Sequence, residues 1–163
     1  MAVPMLQRPG ALLGAVAFLS VAAVAAALVS QHVFGMEPCP WCTLQRLIFV
    51  VIALACVIGL VWRQVAGRVV AAVLVGVLSV CGVASALWLH FVASKSQSCN
   101  LTLADRIIVA LKLDTLIPDV FSPRASCADA AIDLFGVPYT FWSLALFAIF
   151  AVVAAKVLAN SGR

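Results

Sequence analysis

Residues 37–62 read EPCPWCTLQRLIFVVIALACVIGLVW. Two cysteines three positions apart, Cys39 and Cys42, stand at the edge of an apolar run whose single charge, Arg46, lies near its start. From about Leu44 to Trp62 this run approaches the roughly 20 residues with which a helix crosses a hydrocarbon core about 30 Å thick. Three further windows qualify, at about Ala11 to Ser30, Val69 to Phe91 and Tyr139 to Leu158. None alternates polar with apolar residues and each exceeds strand length, so helices are the spanning form. Composition agrees: 66% of the 163 residues are hydrophobic and 10% are charged, against about 45–50% and about 25% in soluble domains. This excludes a water-soluble globule, a disordered tail and a large enzyme domain outside the membrane. The expected fold is an all-α membrane protein, a four-helix transmembrane bundle forming one integral domain over 1–163. Membrane lipids would surround it, and cysteine-bearing loops would span about 31–43 and 92–138.

Charge placement predicts the orientation. Arg8, Arg63, Arg68, Lys156 and Arg163 lie in the N-terminal tail, the 63–68 turn and the C-terminal end, with no acid among them. Glu37, Asp105, Asp114, Asp119, Asp129 and Asp133 all lie on the other side, together with Lys95, Arg106, Lys112 and Arg124 in the long loop. Short loops dominate the positive-inside rule, so both termini are expected in the cytoplasm and the two cysteine loops outside. The stretch VAAVAAALVS, 21–30, resembles the end of a secretory signal peptide, but its apolar run exceeds the usual core of about 7–15 residues. The net charge of +4 comes from scattered Lys and Arg, so no nucleic-acid partner is expected.

Position divides the six cysteines. Cys56 and Cys81 fall inside spans two and three, where a thiol behaves as a small hydrophobe. Cys39, Cys42, Cys99 and Cys127 all fall in the outward loops, which suits an oxidising compartment where disulfides persist. A four-thiolate zinc site would show two tight C-x-x-C knuckles, whereas Cys99 and Cys127 are 28 positions apart, and no metal is expected. A c-type haem would need His where Thr43 stands. Disulfides are the better reading. A Cys99–Cys127 bridge would constrain a loop of about 29 residues by roughly 3.5 kcal/mol, so a purely structural staple remains a reading of that pair. A C-x-x-C ring is too short to stabilise much, and such thiols are often tuned for exchange.

Pro38 and Pro40 keep the approach to the second span extended, since proline disfavours helix at the residue before it. The helix is therefore expected to begin at about Trp41 to Thr43, with Trp41 at headgroup level. Cys42 would then sit at a helix N-terminus, where unpaired N–H groups and the macrodipole stabilise an anion. Thiolate is the reactive form of cysteine. Arg46, four residues on, shares that helical face. It has two readings: an arginine snorkelling to the headgroups, or a cation that stabilises the Cys42 thiolate and hydrogen-bonds a carbonyl oxygen of a lipid-soluble partner such as a membrane quinone.

These residues resemble the bacterial disulfide bond formation protein B (DsbB) family, inner-membrane quinone reductases that reoxidise DsbA. The resemblance covers nearly the whole chain: four spans, C-x-x-C in the first loop, Arg46 four residues after it, and two cysteines in a long second loop. The run from Cys127-Ala128-Asp129 through Asp133-Leu134-Phe135-Gly136 to Trp142 is similar as well. The resemblance implies a quinone-dependent protein-dithiol oxidase in the bacterial inner membrane, with ubiquinone or menaquinone as acceptor and a DsbA-like periplasmic thioredoxin-fold protein as partner. It further implies that the partner's thiolate attacks Cys99, that the freed Cys127 exchanges at Cys39, and that Cys42, left as thiolate, engages the quinone. His90, at the end of the third span, would by the same resemblance lie near the quinone; the plain alternative is a solvated interfacial histidine.

Leu103, Ile107, Ile108 and Leu111 recur at helical spacing, which predicts a short amphipathic helix on the membrane surface or a packing lid over the bundle. Gly59, Gly76 and Gly82 permit close helix packing. Two rival classes stand beside the oxidase. One is a non-catalytic tetraspan protein with structural loop disulfides. The other is a small transporter subunit, disfavoured because apart from Arg46 the spans hold no ionisable residue deep in the bilayer.

Overall fold

Cys39 and Pro40 together start the second span, slightly earlier than the prolines suggest. Cys39 is the N-cap, in extended backbone at φ −84° and ψ 166°, and Pro40 opens the helix. Proline is well suited to that first position, because its missing N–H would have found no helical partner and its φ is already helical. In this computed structural model, which describes residues 9–62, 64–95, 102–129, 133–134 and 136–161, the helix is α2 (Pro40–Val61). The other spans are α1 (Pro9–Phe34) and α3 (Val65–Phe91). Arg8, Arg63, Cys99, Phe135 and Arg163 lie outside the described residues.

After α3 and a 3₁₀ turn at Ala93–Lys95, the long connection carries three short helices, α4 (Leu103–Ala110), α5 (Leu113–Leu116) and α6 (Pro118–Phe121). Two short strands follow, β1 (Asp133–Leu134) and β2 (Val137–Pro138), paired antiparallel with Leu134 opposite Val137. The last span is α7 (Tyr139–Ser161). All four long helices are apolar enough to cross a membrane, and together they form a four-helix membrane bundle. The helices exceed the apolar windows at the end of α1, the starts of α2 and α3 and the end of α7, because residues that hydropathy does not count as apolar still continue a helix.

The bundle is held by close contact, since lipid is as apolar as the side chains it would replace. Phe49 of α2 stacks on Phe147 of α7 with ring centroids 4.2 Å apart and meets Phe150 edge-on at 6.0 Å. Phe147 in turn lies against Gly82 of α3, where an added Cβ would stand 2.5 Å from its ring. Only a glycine lets α3 and α7 approach that far. Cys56 is fully buried in this core, as expected, whereas Cys81 is exposed on the outside of the bundle.

α4 is begun by Thr102 and Asp105, each side chain accepting from the other's backbone N–H, an arrangement that satisfies two orphan donors at once. Its buried side is Ala104 and Ile108, packed towards α2, while Leu103, Val109 and Leu111 are exposed. The apolar stripe expected over Leu103, Ile107, Ile108 and Leu111 therefore splits. One part is a lid on the bundle and the other faces outward. The small Ala104, which the stripe omitted, makes the close approach.

Candidate functional site

Cys39 caps α2 with its sulfur: the Cys42 N–H donates to Cys39 Sγ at 3.2 Å, and the two Sγ atoms are 2.7 Å apart. The Thr43 hydroxyl and N–H both donate to the Cys39 carbonyl at 3.0 Å. This first turn is thus locked from both sides of Cys39. The long connection is fastened to it through Pro38, whose carbonyl accepts from the N–H groups of Arg124 at 3.0 Å and Ala125 at 3.3 Å. Two residues later Cys127 arrives beside Cys39, in a cluster with Leu89 and Ala93 under Trp41. Ser126 and Asp129 brace that turn, the Ser126 hydroxyl donating to Asp129 Oδ2 at 2.6 Å. Trp41 is half-buried, packed against the cysteine cluster and tilted on Trp88 with ring centroids 6.4 Å apart.

The sulfurs differ in protonation. Contact with Cys127, then with Cys42, and full burial push the Cys39 thiol far above the usual thiol range. A hydrogen bond from that same thiol holds Cys127 below its ordinary value against the opposing effect of burial. Cys39 therefore keeps its proton while Cys127 is the readier thiolate, the attacking form in disulfide exchange. Five described cysteines, Cys39, Cys42, Cys56, Cys81 and Cys127, are free thiols in this structure.

Arg46 is 6% exposed and does not snorkel. Its guanidinium donates to Gln31 Oε1 at 2.7 Å and to the carbonyls of Val120 at 3.1 Å and Ala27 at 3.2 Å. The Gln31 amide continues to the Asp119 carbonyl at 3.3 Å. One arginine thereby joins α1, α2 and α6, tying the long connection to the bundle. Beside it lies a cavity of about 250 Å³ between α1, α2 and α7, with Cys42, Gln45 and Arg46 along one wall and Phe49, Trp142 and Leu146 supplying apolar surface. That is just below the roughly 300–1,000 Å³ of drug-sized pockets, a space suited to one flat ring system. Its walls are mostly apolar, with Gln45 and Arg46 among the polar side chains beside Cys42 that could hold a small ligand.

The structure thus brings together four of the six residues singled out by sequence: Cys39, Cys42, Cys127 and Arg46. Cys99 lies outside the described residues. His90 does not line the cavity, which takes the neighbouring Leu89 instead; its ring packs on Phe91 at 4.9 Å and Phe141 at 4.7 Å. Sequence reasoning passed over Gln31, Gln45 and the Pro38 carbonyl. Gln31 and Gln45 carried a faint signal as lone amides at the margins of apolar runs, whereas nothing local marks a carbonyl that accepts from a segment 86 residues away.

A four-helix membrane bundle with buried cysteines meeting at one end, next to a cavity, defines a multi-pass membrane protein of thiol–disulfide chemistry. The family profile described as "Disulfide bond formation protein DsbB" matches residues 9–157. Disulfide bond formation protein B 1 of Pseudomonas aeruginosa is 35% identical over 136 residues, covering 80% of this chain and 83% of that protein. Disulfide bond formation protein B of Burkholderia pseudomallei is 31% identical over 160 residues, 97% of this chain and 95% of the relative. That of Herminiimonas arsenicoxydans is 31% identical over 147 residues, 90% and 91% of the two chains. The chain belongs to the DsbB family of disulfide bond formation proteins.

Proposed function

We propose that this protein is a quinone-dependent protein-dithiol oxidase of the bacterial inner membrane, with both termini in the cytoplasm. It would reoxidise a DsbA-type thioredoxin-fold carrier in the periplasm and pass two electrons to ubiquinone or menaquinone. The observation that carries this reading is the meeting of Cys127 with Cys39 next to a Cys42 that lines the cavity.

The exchange runs from the loop inward. A carrier thiolate attacks Cys99 of a Cys99–Cys127 bridge, forming a mixed disulfide and releasing Cys127 as thiolate. The carrier's second thiol then attacks that mixed disulfide, leaving the carrier oxidised and Cys99 reduced. Cys127 attacks Cys39 of a Cys39–Cys42 bridge, and Cys42 leaves as thiolate at the head of α2, where N–H groups favour an anion. Cys99 next attacks Cys127, which restores the loop bridge and frees Cys39. A quinone held in the cavity beside Cys42 would supply a two-electron sink that takes up two protons. Cys42 and Cys39 would give up the electron pair and re-form their bridge, and the two protons of the quinol would balance those lost by the carrier's two thiols. Arg46 contributes a fixed positive charge beside Cys42 throughout.

The test is turnover of purified protein in detergent with a reduced thioredoxin-fold carrier and a short-tailed benzoquinone or naphthoquinone. Carrier-dependent quinol formation, lost in Cys39→Ala and Cys42→Ala, is the expected result. A protein whose loops are merely stapled would transfer no electrons to either acceptor, and that outcome would overturn the proposal.

A further inference from the structure

Gln45 lies one helical turn beyond Cys42, is 4% exposed, and has an Nε2 with no hydrogen-bond partner among the described residues. Leaving a buried donor unmatched costs about 1–3 kcal/mol, and native structures leave few of them so. This one belongs to a residue lining the cavity that Cys42 and Arg46 also line. Among the described residues the other buried side-chain donors without a partner are on Ser20, Trp41 and Ser79, which do not line that cavity. Arg46, the donor that sequence reasoning assigned to a ligand, already gives three hydrogen bonds to Gln31, Val120 and Ala27.

We infer that the Gln45 side-chain amide is a ligand-binding group of the cavity, donating from Nε2 to a carbonyl oxygen of the bound ring. The inference rests on the quinone reading above and deepens it. A neutral amide in the wall of a mostly apolar cavity suits a neutral carbonyl: it matches the acceptor without stranding a charge in a dry site. An amide has no titratable proton to give, so Gln45 holds the ring beside Cys42 and takes no part in proton transfer. A site built around such a donor also discriminates against rings with no acceptor at that place.

The experiment compares full-length wild type with Gln45→Leu in detergent, using a short-tailed benzoquinone and a reduced thioredoxin-fold carrier. Loss of one hydrogen bond of about 1–2 kcal/mol raises the quinone KM roughly 5–30-fold, with kcat at saturating quinone little changed. The infrared carbonyl stretch of the bound quinone moves to higher frequency in the variant. Without quinone, the variant's Tm equals or exceeds that of wild type, because an unmatched buried donor has been replaced by an apolar group of similar size. An unchanged KM and carbonyl stretch would overturn the inference while leaving the oxidase reading intact. A raised KM together with a lowered quinone-free Tm would also overturn it, assigning the amide to the fold. A wild type that reduces no quinone would overturn both.

Discussion

Replacing Arg46 with methionine keeps an unbranched side chain and deletes three hydrogen bonds, to Gln31 Oε1, the Val120 carbonyl and the Ala27 carbonyl. Bonds of this charged kind are worth about 1.5–3 kcal/mol each, but removing a buried guanidinium also relieves a desolvation penalty of several kcal/mol. The part that falls on the long connection is smaller and better defined. It comprises the bond to Val120 and the weaker link from Gln31 to Asp119, since Gln31 loses the partner that orients it. Together these hold α6 against the bundle by about 2–3 kcal/mol. Undocking of α6 should therefore become roughly 30–150-fold more frequent in Arg46→Met. Hydrogen exchange followed by mass spectrometry over 118–127 reads that factor directly as faster exchange at Phe121 and Ser122, whose N–H groups bond within the short helix. Arg46→Lys separates charge from geometry. A single ammonium cannot satisfy three divergent acceptors, so it should speed exchange nearly as much while keeping a cation near Cys42. Exchange in Arg46→Met within about threefold of wild type, under roughly 0.7 kcal/mol, would refute the claim that Arg46 fastens the connection.

Cys127→Ala mixed with oxidised carrier should accumulate a mixed disulfide, visible on non-reducing gels, because the unpaired Cys99 thiolate attacks the carrier's disulfide and Cys127 is no longer there to displace the carrier from Cys99. In Cys39→Ala the hydrogen bond holding Cys127 below its ordinary thiol value is lost. The pH at which Cys127 is half-reactive towards iodoacetamide under reducing conditions should then move upward, as its thiolate forms less readily; an unchanged midpoint would show that Cys39 does not set it. Gly82→Ala would drive a methyl group into the Phe147 ring and should destabilise the bundle by about 1–3 kcal/mol, read as a lower Tm in detergent. Phe147→Leu in the same chain should recover part of that loss, since it trims the ring that clashes.

The four spans were legible because each is a local property: a long enough apolar run buries its own backbone hydrogen bonds whatever its neighbours do. The head of α2 was legible for a similar reason, since proline sterics and capping act within a few residues, and the start shifted only because Pro40 fits the first helical position. The split of α4 into a buried Ala104–Ile108 side and an exposed Leu103–Leu111 side was not legible. Hydropathy ranks leucine above alanine, while close packing on α2 favours the smaller residue.

Residue order alone established a membrane bundle with a C-x-x-C at the mouth of one span, and placed Cys127 in the other loop on the same side. That Cys127 meets Cys39, that Arg46 reaches Gln31 and Val120, and that Gln45 is left with an unmatched donor arise from contacts between segments 15 to 88 residues apart. No periodicity along the chain encodes such contacts. They depend on how one segment's hydrogen-bonding groups happen to fall against another's once the helices are packed.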